Sequence, residues 1–223
     1  MGFSNEWDNI YKNNMHLSIW PWSDLVSLVK RYVKINAGCK ILELGCGGGA
    51  NIPFLSGFEQ VEYYAVEGSS HMVNKLKDKF ADNRIHIECS DFTKGIPFDE
   101  KFDLVVDRGA ITHNNTKDIK KVISDIHSQY LNEQGYFIGI DWHSVYSSLF
   151  QDDSQEYEAV DEWTRIYNTG HLAGCGMSHF SDASHMKELF KDFRIDVLYE
   201  KRYIYDVPKT QIRGAWDIVA VKE

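Results

Sequence analysis

The sequence predicts an α/β fold, a doubly wound sheet that is mostly parallel and ends in an antiparallel strand pair. Three observations carry this. Short apolar runs rich in β-branched and aromatic residues alternate with longer amphipathic stretches, the pattern of βαβ units. A glycine-rich turn lies inside ILELGCGGGANIPFL, directly after the first apolar run. Near the C-terminus the alternation stops, and two strand-like segments follow each other with no helix between them.

In chain order, residues 1–37 form a helical lead-in, because SDLVSLVKRYVKI has apolar residues at helical spacing behind a Ser-Asp start. The strands expected next are KILEL, VEYYAVE, RIHIE, FDLVVD and GYFIGID, each with the bias of a buried strand. Helices are expected near Ser70–Ala81 and Thr116–Leu131. Residues 142–181 read as an inserted cap, aromatic, acidic and glycine-bearing, with no clear periodicity. A helix over Asp182–Lys191 precedes RIDVLYEKRYIY and AWDIVAVKE, the terminal antiparallel pair.

With 223 residues, 43% of them hydrophobic, the chain suits one compact domain spanning 1–223 better than two. No apolar run approaches the ~20 residues that cross a bilayer, and MGFSNEWDNIYKNN has neither a basic nor an apolar leader region. A cytoplasmic chain without a membrane partner is expected. The scattered Cys39, Cys46, Cys89 and Cys175 agree with reduced thiols. A net charge of −9 with dispersed basic residues disfavours nucleic acid and favours a small molecule as partner.

Gly45-Cys46-Gly47-Gly48-Gly49-Ala50 satisfies the dinucleotide fingerprint in form, and Glu67 follows about 20 residues on, where an acid that holds ribose belongs. Glu43 separates the ligands. Two positions before the first glycine, its carboxylate would repel a pyrophosphate but suits a ligand with positive charge and no phosphate. S-adenosylmethionine, which carries a sulfonium and an ammonium, is such a ligand.

With these residues the sequence resembles the class I S-adenosylmethionine-dependent methyltransferases of small-molecule type, and the resemblance covers most of the chain. It implies a Rossmann-like domain whose product is S-adenosylhomocysteine. LELGCGGG is similar to the family's first motif, through Glu43, Gly45, Gly47 and Gly49. The acid that takes both ribose hydroxyls falls on Glu67, followed by Gly68. The Asp and neighbouring apolar residue at adenine fall on Asp91 and Phe92, and the acid closing the fourth strand falls on Asp107. Glu67 or Asp91 alone would more commonly be a helix cap or a solvated turn residue. Their common place at successive strand ends is the edge where open parallel sheets bind ligands.

By the same resemblance the methyl group is expected beside DRGAITHN, so Arg108, Thr112, His113 and Asn114 are expected near the reacting centre. The fifth strand ends in IDWHS, which adds Asp141 and His143. In-line displacement needs orientation first, and a hydroxyl or amine acceptor also needs a base. His143 and His113 are the candidate bases, with Asp141 as base or orienter. IWPW at Ile19–Trp22 and the aromatics Tyr146, Phe150, Tyr157, Trp163 and Tyr167 are expected to close the pocket or to pack the cap. His171, Cys175 and His179 stand four apart, but Gly174 and Gly176 oppose the helix that would align them, so no metal is expected. The expected reaction is methyl transfer to oxygen or nitrogen of a small molecule, for example a carbohydrate or other secondary metabolite. A noncatalytic module that binds S-adenosylmethionine fits every motif except the bases. A nicotinamide-dependent oxidoreductase would have to tolerate Glu43 beside a pyrophosphate.

Overall fold

The computed structural model describes residues 6–13, 15, 17–152, 156–208 and 210–223. Residues 1–5, part of the stretch read above for a leader, lie outside the described residues. β1 (Lys40–Leu44), β2 (Glu62–Glu67), β3 (Ile85–Cys89), β4 (Phe102–Arg108) and β5 (Leu131–His143) pair in parallel, with β1 flanked by β2 and β4. The terminal strands β9 (Arg194–Tyr205) and β10 (Gln211–Val221) pair antiparallel, and β10 also lies antiparallel to β5. The seven strands run β3-β2-β1-β4-β5-β10-β9, so the order reverses between β1 and β4. The Rossmann-like sheet and its terminal antiparallel pair are as the residues predict.

Strand alternation sends neighbouring residues to opposite faces, and both faces here are apolar. Leu42, Leu44, Tyr64 and Val66 join one buried cluster, while Ile41, Tyr63 and Ala65 join the other. Helix α2 (Ser23–Tyr32) lays Leu25, Leu28 and Val29 onto the second cluster at i, i+3, i+4 spacing. The short helix α3 (Ile52–Leu55) follows the glycine turn; α4 (Ser70–Lys79) starts where the Ser69 side chain accepts the Met72 amide, and α5 (Thr116–Asp125) where Asn115 accepts that of Asp118. The stretch expected as one helix to Leu131 leaves α-geometry after Asp125 and closes in a π-turn over Ile126–Tyr130.

β5 contains a break in alternation that shapes the site. Asp141 adopts φ of +59°, unusual for a non-glycine residue. Trp142 thereby joins the cluster of Phe137, whereas Ile138 and Ile140 face the other side. The irregular register opposite, between Trp216 and Ile218 of β10, matches this bulge.

Between β5 and α7 (Ala183–Leu189) the chain forms one helical turn, α6 (Ser148–Gln151), and a small sheet, β6 (Tyr157–Ala159), β7 (Thr164–Tyr167) and β8 (Met177–His179), which periodicity did not reveal. Of the cap aromatics, Tyr167 is buried with Phe180, while Phe150, Tyr157 and Trp163 pack against them. Tyr146 is exposed with Arg202 over its ring. Packing the cap is the role the structure gives this group.

Candidate functional site

Along the carboxyl edge of the sheet lies a cleft of about 490 Å³, within the usual range for small-molecule sites. Its floor is the turn after β1, where Gly45, Gly47 and Gly49 all have positive φ, which only glycine adopts at little cost. The fit is close. A Cβ on Gly45 would stand 2.3 Å from the Ala110 Cβ, and one on Gly48 2.9 Å from the Ser18 carbonyl. Gly49 is not among the lining residues; a Cβ there would meet Leu76 and Ile52, so its absence lets the turn pack on the sheet.

Glu67, at the end of β2, lines the cleft and is almost wholly buried. Its Oε2 accepts the Gly47 amide at 2.8 Å and its Oε1 the Ser69 amide at 2.9 Å, which fixes the carboxylate and leaves lone pairs for further donors. Burial pushes its pKa up, opposed by those amides. Gly68 follows it in the lining. Glu43 is also buried and lines the cleft; it accepts from Asn51 Nδ2 at 2.8 Å and Tyr63 OH at 2.5 Å, and burial raises it to about 7. Asp91 lines the third strand end with Phe92. Its Oδ1 accepts the Thr93 amide and hydroxyl and Oδ2 meets Lys94 at 3.1 Å; although desolvation opposes them, these partners leave its pKa lowered.

Asp107, expected with the ligand-facing acids, does not line the cleft. Fully buried, it accepts the amides of Ala110 and Ile111 and the Trp142 indole N–H at 2.7 Å. It caps the DRGA turn and pins the tryptophan that the β5 bulge delivers. Burial lifts its pKa to about 7.

At the other end, Arg108, His113, Asn114 and His143 line the cleft, while Thr112 turns its hydroxyl to the Gly109 carbonyl. Arg108 stacks on Trp22 at 3.7 Å and donates through Nε and Nη2 to Asp141 Oδ2. Asp141 is not among the lining residues and also meets Lys201 at 2.9 Å. Desolvation would raise its pKa, but Arg108 and Lys201 hold it below the usual carboxylate range. The expectation of Asp141 as base does not fit this placement; it orients Arg108. His113 donates from Nδ1 to the Met177 carbonyl at 2.9 Å, which in the neutral ring puts the lone pair on Nε2. His143 stands edge-on to it at 6.1 Å, its Nε2 shielded from solvent and without a hydrogen-bond partner among the described residues. Burial, then His113 and two arginines, push its pKa to about 3, so this imidazole is neutral.

Sequence reasoning found only Trp22 of the cover of the cleft. Trp7 and Tyr11 of helix α1 (Glu6–Lys12) line it with Leu17, Ser18 and Trp22; of the IWPW cluster only Trp22 does so, and Ile19 and Trp20 are exposed. His171, Leu172 and Cys175 contribute from the cap and Arg213 from β10. Positive φ at Gly170, Gly174 and Gly176 marks the 171–176 segment as turns, so His171, Cys175 and His179 share no helix face; His179 instead meets His185 at 3.1 Å.

Comparison with known proteins agrees with this architecture. A family model described as a methyltransferase domain matches residues 41–135. The 24-methylenesterol C-methyltransferase 3 of Arabidopsis thaliana is 27% identical over 133 residues, which cover 57% of this chain and 35% of that protein. The match thus spans about a third of the relative's length. Among solved structures, a S-adenosylmethionine-dependent methyltransferase from Methanosarcina mazei aligns with TM-score 0.66 at 14% identity, over 91% of this chain and 98% of that one. A Haloferax volcanii putative methyltransferase, solved with the Trm112 methyltransferase activator, gives TM-score 0.67 at 14% identity over 99% of both. TehB from Haemophilus influenzae gives 0.64 at 17%, over 97% of this chain and 67% of that one. At these identities the structural likeness is one of fold.

Proposed function

We propose that this chain, whose residues 41–135 match a methyltransferase domain, is a class I S-adenosylmethionine-dependent enzyme that methylates oxygen or nitrogen of a small molecule. The observation that carries the reading is the convergence of Glu43, the glycine turn, Glu67 and Asp91 on one cleft. The donor set fits the cofactor: buried carboxylates suit a cation, and Glu67 keeps acceptor capacity for two hydroxyls. In this reading the turn holds the methionine part, Glu67 and Gly68 the ribose, and Asp91 with Phe92 the adenine.

When bound, S-adenosylmethionine supplies a sulfonium methyl that passes in line to an acceptor lone pair while the C–S electron pair stays on sulfur. Arg108, His113, Asn114 and His143 would line up the acceptor. The proton of a hydroxyl or amine passes to His113 Nε2, because a ring already donating through Nδ1 is set to accept there. His143, held neutral, orients rather than abstracts. We take residues 1–223 as one domain acting in the cytoplasm without nucleic acid. A carbohydrate or other secondary metabolite remains the acceptor proposed, although the cap aromatics that would stack on a sugar lie outside the cleft lining.

Titration with S-adenosylhomocysteine and with NADH tests the site. Binding of the adenosyl ligand alone, weakened at least about tenfold in Glu67→Ala, is expected, a tenfold loss being about 1.4 kcal/mol. Preference for NADH would overturn the reading.

A further inference from the structure

The sign of the charges lining the cleft changes along the sheet edge. In spatial order the lining acids are Asp91 after β3, Glu67 at the end of β2 and Glu43 in β1. Past the reversal of strand order the lining charges are Arg108 of β4 and Arg213 of β10, with the imidazoles of His113 and His143 between them. The acids near the carboxyl ends of β4 and β5 are turned away, Asp107 into its own turn and Asp141 under Arg108. On a chain of net charge −9, this local surplus of cations is not a background property.

The arginines retain capacity for a ligand. Arg108 uses Nε and Nη2 toward Asp141, which leaves Nη1 and one Nη2 hydrogen of its five N–H donors. Arg213 forms no ion pair among the described residues. It lies two positions before Ala215, the register partner of His143, and its charge acts on both His143 and Arg108. Planar guanidinium forks match a carboxylate geometrically.

We propose that the methyl acceptor is a small organic anion, a carboxylate-bearing alcohol or amine, whose carboxylate docks on Arg213 and Arg108. This rests on the methyltransferase reading and names the substrate class of the same cleft. The docked carboxylate is not the reacting atom. A guanidinium on the nucleophile would stabilise its charge before transfer, when that charge is about to be lost, and would slow the reaction. The hydroxyl or amine therefore lies toward His113; its lone pair forms the new bond to methyl, the C–S pair remains on sulfur, and its proton goes to the imidazole. The two ends of the cleft then separate two ligands of opposite charge. Cationic cofactor meets carboxylates, and anionic acceptor meets arginines.

The test uses protein saturated with S-adenosylhomocysteine, titrated with a panel of hydroxy- and aminocarboxylates (4-hydroxybenzoate, anthranilate, salicylate, malate) and the primary amide of each. At least one carboxylate is expected to bind tenfold or more tighter than its amide. Arg213→Met should erase that preference, Arg213→Lys should restore part of it, and affinity for S-adenosylhomocysteine should stay within twofold. No carboxylate preference in the panel, or a preference that survives Arg213→Met, would overturn the proposal. So would a tenfold loss of S-adenosylhomocysteine affinity in Arg213→Met, which would put the guanidinium on the cofactor's own carboxylate. Failure of wild-type protein to bind S-adenosylhomocysteine would instead remove the methyltransferase reading beneath it.

Discussion

Glu43 and Asp107 are buried carboxylates with pKa values raised to about 7, yet they face different partners and call for different outcomes. A buried carboxyl raised above its ordinary value contributes stability that is full below the ordinary value and lost as pH rises through the folded one. For Glu43 that window runs from 4.5 to about 7. Melting temperature against pH should therefore fall less steeply across this window in Glu43→Gln than in wild type. A cation bound beside Glu43 favours its charged form, so S-adenosylmethionine binding near pH 7 should release a fraction of a proton. Calorimetry in buffers of differing ionisation heat should detect that release, and Glu43→Gln should abolish it. Asp107→Ala should act otherwise, because it strands the Trp142 indole and two amides in the core. A loss of about 2–4 kcal/mol in urea unfolding is expected.

At the scale of elements, Lys201 of β9 joins Asp24 of α2, Asp141 of β5 and Asp217 of β10. Its side chain is 12% exposed and that of Asp217 is 0%, so this is a largely dry cluster rather than a surface pair. Lys201→Met should cost about 2–4 kcal/mol in urea unfolding, since it leaves the fully buried Asp217 carboxylate without its counterion. It should also weaken acceptor binding, as Asp141 then draws harder on Arg108. The alternation of strands and helices was legible, because buried parallel strands and capped amphipathic helices each leave a local pattern. So were the glycine turn, Glu67 and Asp91, which sit at strand ends by sequence spacing alone. Asp107 was misread because an acid ending a strand looks the same whether it faces a ligand or caps its own turn. Its acceptance of amides three and four residues on is the capping pattern that could have distinguished it. Arg213 carried no local signal. Only the pairing of β10 with β5, which sets Ala215 opposite His143 across 72 residues of chain, brings it to the cleft.

For the molecule as a whole, the cleft is assembled from three regions that the sheet does not itself connect: the N-terminal segment, the strand-end loops and the cap. Helix α1 is seven residues long, too short to be stable alone, and depends on these contacts. Ile10 and Tyr11 pack with Met72 of α4 and Cys175 of the cap, Trp7 stands edge-on to His113 at 4.9 Å, and Asp8 accepts from the Ser69 hydroxyl. A ligand that fills the cleft touches all three regions at once, so its binding energy should appear as order in the least stable of them. Hydrogen exchange at residues 6–12 is expected to slow about tenfold or more with saturating S-adenosylhomocysteine, while β1 and β4, protected by the sheet core, change little. Trp7→Ala should uncouple the cover. Its stability by urea unfolding should stay within about 1 kcal/mol of wild type, since one peripheral contact is lost. Affinity for S-adenosylhomocysteine should fall several-fold, and the protection of 6–12 on binding should shrink. Equal protection in wild type and Trp7→Ala would mean that the helix is held by Asp8 and the Tyr11 cluster, and that Trp7 serves only to position the His113 ring.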